Sequence, residues 1–212
     1  MIYNGHSLIN TKVITPMFLE KHQHKESGTS YGLGEAGYDI RIKQGVHFVP
    51  HPLERFQFAN EVQDGHKVTT RFGRFVLASA IEHFQMPEHL VAIVHDKSTW
   101  ARRGLSVFNT VIEPGWHGFL TLELVYHGSE ELYIPAGSGI AQVVFHGTSQ
   151  PARYDGKYQG QADEPVCARH GGHKDAIDGD ANVTTSKCPE CSEILSTCPS
   201  GLVCKNGHGF GY

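Results

Sequence analysis

Between Tyr38 and His146 short apolar or alternating segments recur between turn residues, at intervals that leave little room for helices. The segments are Tyr38–Ile42, Val46–Val49, Phe75–Ile81, Leu90–Val94, Phe119–Tyr126, Leu132–Ile134 and Ile140–Phe145. Strand runs of this length and spacing build a sandwich, jelly roll or barrel, so an all-β fold is expected. The 24 glycines and 10 prolines supply the turns. Only Asp96–Gly104 breaks the rhythm, opening with capping residues and closing on glycine, which predicts a short helix. Residues 1–35 are polar, glycine-rich towards their end, and read as an N-terminal arm with a short helix over Pro16–Lys21.

A chain of 212 residues holds one medium domain and a small appendage rather than two full-sized domains. The pattern divides it into a main domain over 1–165, a Gly/Ser/Asp-rich linker over 166–186 and a small module over 187–212. Apolar residues make up 39%, which is below the usual ~45–50% and fits a folded, loop-rich protein. A formal charge of -4 argues against a surface that grips nucleic acid throughout. The N-terminal residues show no basic stretch followed by an apolar run, and the densest apolar run, Leu90–Val94, is far too short to span a bilayer. A cytoplasmic protein is expected, in which metal binding by the crowded C-terminal cysteines is favoured over disulfides.

Several strings carry potential chemistry. Strand alternation puts Leu120, Leu122, Leu124 and Tyr126 on one face and Thr121 with Glu123 on the other. Glu123 is then either a solvated outer residue or a carboxylate whose apolar neighbours raise its pKa towards that of a proton-transfer group. Ten positions earlier the turn Ile112-Glu113-Pro114-Gly115-Trp116 offers a second acid and a ring, or simply a turn and a core tryptophan. On the predicted helix Ser98 and Arg102 share a face with Lys97 beside them, a set suited to a phosphate ester. Tyr154–Gln161 combines a cation, aromatics and amides in a stretch that either folds over a ligand or trails as a polar tail.

Taken in order, these segments resemble the deoxycytidine triphosphate (dCTP) deaminase branch of the trimeric dUTPase superfamily. The resemblance rests on Gly37–Ile42, Lys97–Leu105, Ile112–Trp116 with Leu122–Leu124, Gly137–Gln142 and Lys157–Gln161, and covers about residues 30–165. It implies a distorted β-barrel or jelly roll assembled as a homotrimer with sites between subunits. It further implies hydrolytic deamination of a deoxycytidine triphosphate to the deoxyuridine nucleotide and ammonia, without a catalytic metal. On this resemblance Glu123 activates water and Ser98 and Arg102 lie beside the point of attack. Lys97 and Gln142 belong to the nucleotide site, Glu113 meets the sugar, Trp116 lies under it, and Asn109, Thr110 and Ile112 line the base pocket. Lys157, Tyr158 and Gln161 close over the triphosphate, which carries Mg2+.

Glu123 also separates the branches, because dUTPases carry an apolar residue there. A dUTPase, or a bifunctional enzyme releasing dUMP, is the alternative that Glu113 keeps open, and a non-catalytic nucleotide-binding module is the alternative outside enzymes. Ser106–Ile112 is shorter than in typical deaminases, which admits a 5-substituted cytosine as the base.

The C-terminal module is separate from that pattern. Cys188, Cys191, Cys204 and His208 follow C-x2-C-x12-C-x3-H, a spacing suited to tetrahedral Zn2+, with Cys198 as the alternative fourth ligand. Four protein ligands would make the zinc structural, in a ribbon too small to fold without it. Such a ribbon could contact protein or nucleic acid. The zinc deaminase signature is not matched, since the proline of Cys188-Pro189-Glu190-Cys191 falls inside the pair.

Overall fold

The computed structural model describes residues 1–51, 55–61, 68–168, 195–198, 201–204 and 209–210. The chain divides into two compact units, Met1–Val166 and Cys167–Tyr212. In chain order the first carries β1 (Ile2–Tyr3), α1 (Gly5–Ile9), β2 (Ile14–Thr15), β3 (Lys21–Gln23), β4 (Ser30–Leu33), β5 (Tyr38–Arg41), β6 (Gly45–His51) and β7 (Arg55–Glu61). There follow β8 (Val68–Phe72), β9 (Phe75–Gln85), β10 (Leu90–Asp96), α2 (Ser98–Ala101), β11 (Leu105–Val107), β12 (Val111–Ile112), β13 (His117–Tyr126), β14 (Leu132–Ile134) and β15 (Gly139–Gly147).

These strands form three antiparallel sheets around one core. The first runs β12-β10-β15-β5-β4-β3 with β1 added to β15, the second β11-β13-β9-β2, and the third β14-β6-β7-β8. All seven strands read from the apolar rhythm are present, and alternation places Leu90, Ala92 and Val94 of β10 and Leu122, Leu124 and Tyr126 of β13 inside. The core joins residues of all three sheets, among them Tyr38, Phe48, Phe84, Trp100 and Phe145. Among the described residues no helix is long and apolar enough to cross a membrane.

The N-terminal residues depart from the expected arm. They contribute β1–β4 to the sheets, because Leu8, Val13 and Ile14 are buried and anchor a segment whose overall composition is polar. The helix expected over Pro16–Lys21 is absent, and the helix that forms is α1. The Phe18 amide donates to the Tyr38 hydroxyl at 3.1 Å and its carbonyl accepts from the Leu33 amide at 3.0 Å, so neighbouring strands take the groups a helix would use. The short helix expected within Asp96–Gly104 is α2, one turn whose Trp100 is buried and donates its indole N–H to the Gly139 carbonyl at 2.8 Å.

Of the second unit, β16 (Leu195–Cys198), β17 (Gly201–Cys204) and β18 (Gly209–Phe210) form an antiparallel sheet. Cys198 lies opposite Gly201 and Cys204 opposite Leu195 in its register. Cys188, Cys191 and His208 of the expected zinc site, and most of the expected linker, lie outside the described residues. Cys167 is disulfide-bonded, a departure from the preference for metal binding over disulfides.

Candidate active site

Glu123 sits in the middle of β13, opposite Leu77 of β9, with apolar Leu122 and Leu124 on either side pointing into the core. Its side chain is half-buried, and burial pushes its carboxyl above the ordinary 4.5, with its own backbone amide opposing only in part. Among the described residues no side chain pairs with it. A carboxylate desolvated without a counter-charge holds a proton more readily than one in water, which is the property of a general base working near neutral pH. The loop after β11 runs beside it: the Phe108 amide donates to the Glu123 carbonyl at 2.9 Å, and the Thr110 carbonyl accepts from the Val94 amide at 3.0 Å. Asn109 on this loop is exposed, flanked by Phe108 and Val111 at 52% and 51% exposure, while Ile112 is buried.

A second cluster forms around α2. The Arg102 amide donates to the Ser98 carbonyl at 3.1 Å, closing the turn that stacks the two residues on one face. Both side chains are exposed, and neither makes a hydrogen bond or ion pair among the described residues. Lys97, at the helix N-cap, points instead into a nearly buried pair with Asp39, and it donates to Ser30 Oγ at 2.9 Å, while Ser30 donates to Asp39 at 3.0 Å. Lys97, expected at the phosphates, thus also tethers α2 to β4 and β5. Gln142 of β15 stands across from Asp39 on one side and His95 on the other, so it joins this cluster.

The third group is the segment after β15. Trp116 is only 6% exposed, and its indole N–H donates to the Tyr158 carbonyl at 2.7 Å. Gln161 lies against β13: its carbonyl accepts from the Phe119 amide at 3.1 Å and its side-chain oxygen from the Thr121 amide at 3.2 Å. Thr121 is two residues from Glu123, so the segment reaches the neighbourhood of that carboxylate. Gly118 makes this approach feasible, with φ +136° and a Cβ position only 2.6 Å from the Gln161 nitrogen. Lys157 is exposed, its ammonium 5.0 Å from the Tyr158 ring.

One chain therefore brings together Glu123, Thr121, Gln161 and the 108–110 loop, and separately Lys97, Ser98, Arg102 and Gln142. No hydrogen bond joins these two groups among the described residues: Phe108, at the far end of β11, bonds Glu123, whereas Gly104, just after α2, bonds His127 beyond the end of β13. Glu113 is exposed at its turn and touches neither group by hydrogen bond. Sequence reading missed Glu82, which is 0% exposed and accepts the Arg41 backbone amide at 2.9 Å and Nε–H at 2.8 Å. Burial pushes Glu82 upwards and Arg41 opposes the shift. Among the described residues no three His, Cys, Asp or Glu converge as a metal site.

A family model described as dCTP deaminase-like matches residues 10–148. The chain is similar to the dCTP deaminase of Nautilia profundicola, 32% identical over 164 residues that make up 72% of this chain and 87% of that protein. It is 36% identical over 165 residues to the dCTP deaminase of Campylobacter concisus, covering 72% of this chain and 88% of the relative. Among solved structures, 2'-deoxycytidine 5'-triphosphate deaminase from Agrobacterium tumefaciens overlays 68% of this chain and 47% of its own, with a TM-score of 0.43 at 15% identity. The dUTPase of EIAV overlays 64% and 88%, with a TM-score of 0.40 at 15% identity.

Proposed function

The chain belongs to the dCTP deaminase-like family, and from that premise we propose that it hydrolyses the 4-amino group of dCTP, releasing ammonia and leaving the uracil nucleotide. The enzyme is a hydrolase of the deaminase kind. The observation that carries the mechanism is the half-buried Glu123, without a side-chain partner among the described residues and with its carboxyl raised above the ordinary 4.5 by burial. In this reading Glu123 takes a proton from water and gives it to N3 as the hydroxide adds to C4; it then carries the remaining hydroxyl proton to the amine, which leaves as ammonia as the C4–N bond breaks and C4=O forms. Ser98 and Arg102, exposed and without a side-chain partner among the described residues, are placed to meet the attack site. Gln142 and the α2 turn hold the triphosphate, and Lys97 supports that turn through Asp39. Asn109, Thr110 and Ile112 shape the base pocket, and the short loop that carries them admits a 5-substituted cytosine.

Because Glu123 and Ser98 lie in separate groups within one chain, a complete site draws them from two copies, which fits a homotrimer. Mg2+ would ride on the triphosphate rather than on a protein cage. Of Cys188, Cys191, Cys198 and Cys204 one is taken by the disulfide to Cys167, which leaves three thiolates and the His208 imidazole, a donor set that suits Zn2+ in a closed structural role.

Glu123→Gln tests the mechanism. Chromatography after incubation with dCTP and 5-methyl-dCTP should show a uracil- or thymine-type triphosphate from the unaltered protein. The variant should bind nucleotide with its rate lowered by about 10²-fold or more, and normal deamination by it would remove Glu123 from the mechanism. The Glu113 side chain is exposed and has no partner among the described residues, so dUTP belongs in the same assay, with dUMP as the signature of a second activity.

A further inference from the structure

We infer that Gln159 is a positioning residue whose carboxamide clasps the 154–166 segment to the turn before β13, and so sets Lys157, Tyr158 and Gln161 in place for the nucleotide; the placement rests on the proposed function, the clasp does not. One side chain makes three bonds. Its Oε1 accepts the His117 amide at 2.9 Å, and its Nε2 donates to the Gly115 carbonyl at 3.0 Å and to the Tyr154 carbonyl at 3.1 Å. It thereby joins the start of the segment to the turn and to β13 at once.

Other contacts converge on the same seat. The Gly160 amide donates to the His117 carbonyl at 3.0 Å, and Trp116 holds the Tyr158 carbonyl. Further on, the Val166 amide donates to Thr121 Oγ1 at 3.0 Å and Lys43 pairs with Asp163 at 2.6 Å. Every one of these bonds runs between protein groups. A glutamine in a polar tail would gain nothing by giving up water for three fixed partners. Here each partner is a backbone group whose own hydrogen bond would otherwise be lost. A segment already docked does not charge its ordering entropy to nucleotide binding, which is how the clasp acts on affinity.

The test uses hydrogen exchange of the full chain without nucleotide, followed by steady-state kinetics. In the unaltered protein the Gly160 and Val166 amides should be protected, and Gln159→Ala should cut that protection by about tenfold or more, with the melting temperature of the main unit held. Trp116→Phe, which keeps a ring but loses the indole N–H, should weaken protection at the same amides by a smaller factor. With dCTP, Gln159→Ala should raise KM about 5- to 30-fold while kcat at saturation stays within about twofold. Exchange at the unstructured rate in the unaltered protein, or unchanged protection in Gln159→Ala, would overturn the clasp. Unchanged KM with lost protection would overturn its role in nucleotide binding. Clasp protection as expected with no deamination of any pyrimidine nucleotide would instead remove the proposed function and leave the clasp standing.

Discussion

At Glu123 the same desolvation that suits catalysis weakens the fold. Its native pKa lies above the ordinary 4.5, so below pH 4.5 both native and unfolded chains hold the proton. As pH rises from there through the raised native value, the unfolded chain releases a proton that the native chain retains, and stability falls. Glu123→Gln abolishes this loss, so its melting temperature should exceed that of the parent at pH 8, with the advantage shrinking towards pH 4.5; thermal unfolding at the two pH values checks it. The rate of deamination should fall on the acid side with a midpoint above the ordinary carboxylate range, because the protonated acid cannot accept a proton from water. Alternation along Phe119–Tyr126 set Glu123 apart as a carboxylate on an apolar strand but left it open as a solvated residue, and the family resemblance gave it its role. Glu82 escaped because the apolar segment read from the sequence ended at Ile81, one residue short of it, and only the arrival of Arg41 from a distant strand shows why a charge can be buried there.

That pair matters at the level of strands. Arg41 of β5 and Glu82 of β9 join the first and second sheets, with the guanidinium 4.7 Å from the Phe18 ring centroid and 5.1 Å from that of Tyr31. Arg41→Met should cost about 3–5 kcal/mol in urea unfolding, since Glu82 keeps its burial and loses its partner. Adding Glu82→Leu should recover most of that loss; a double variant as unstable as the single would show that the aromatic stacking, not the charge, is what counts. The long strands were legible from the sequence because their burial alternates cleanly. The two-residue strands β1, β2 and β12 were not, since so short a piece carries no period and is defined by the strand it meets. The docking of Tyr154–Gln161 was invisible for a related reason: its partners are mostly backbone atoms of a turn forty positions away, which leave no trace in side-chain patterning.

On the proposed homotrimer, the placement of Ser98 and Glu123 in separate groups has a measurable outcome. Mixing and re-folding Ser98→Ala with Glu123→Gln should restore deamination to roughly a quarter of the parent activity, since copies pair at random and one interface in four carries both intact groups. No recovery would mean that each chain completes its own site. Metal analysis should find about one zinc per chain, lost in Cys188→Ser, while deamination survives chelation; activity that vanishes with the zinc would give the module a part in the site. The order of the strands also bears on synthesis. Tyr3 pairs with Phe145 and Ile2 with His146, so the first strand waits for the last one of its sheet to be translated. At about 5–20 residues per second that wait is roughly 7–30 s. Through it the apolar faces of β5, β9 and β10 have no lasting cover, and the nascent chain is a natural client for whatever holds unfinished sheets apart on the ribosome.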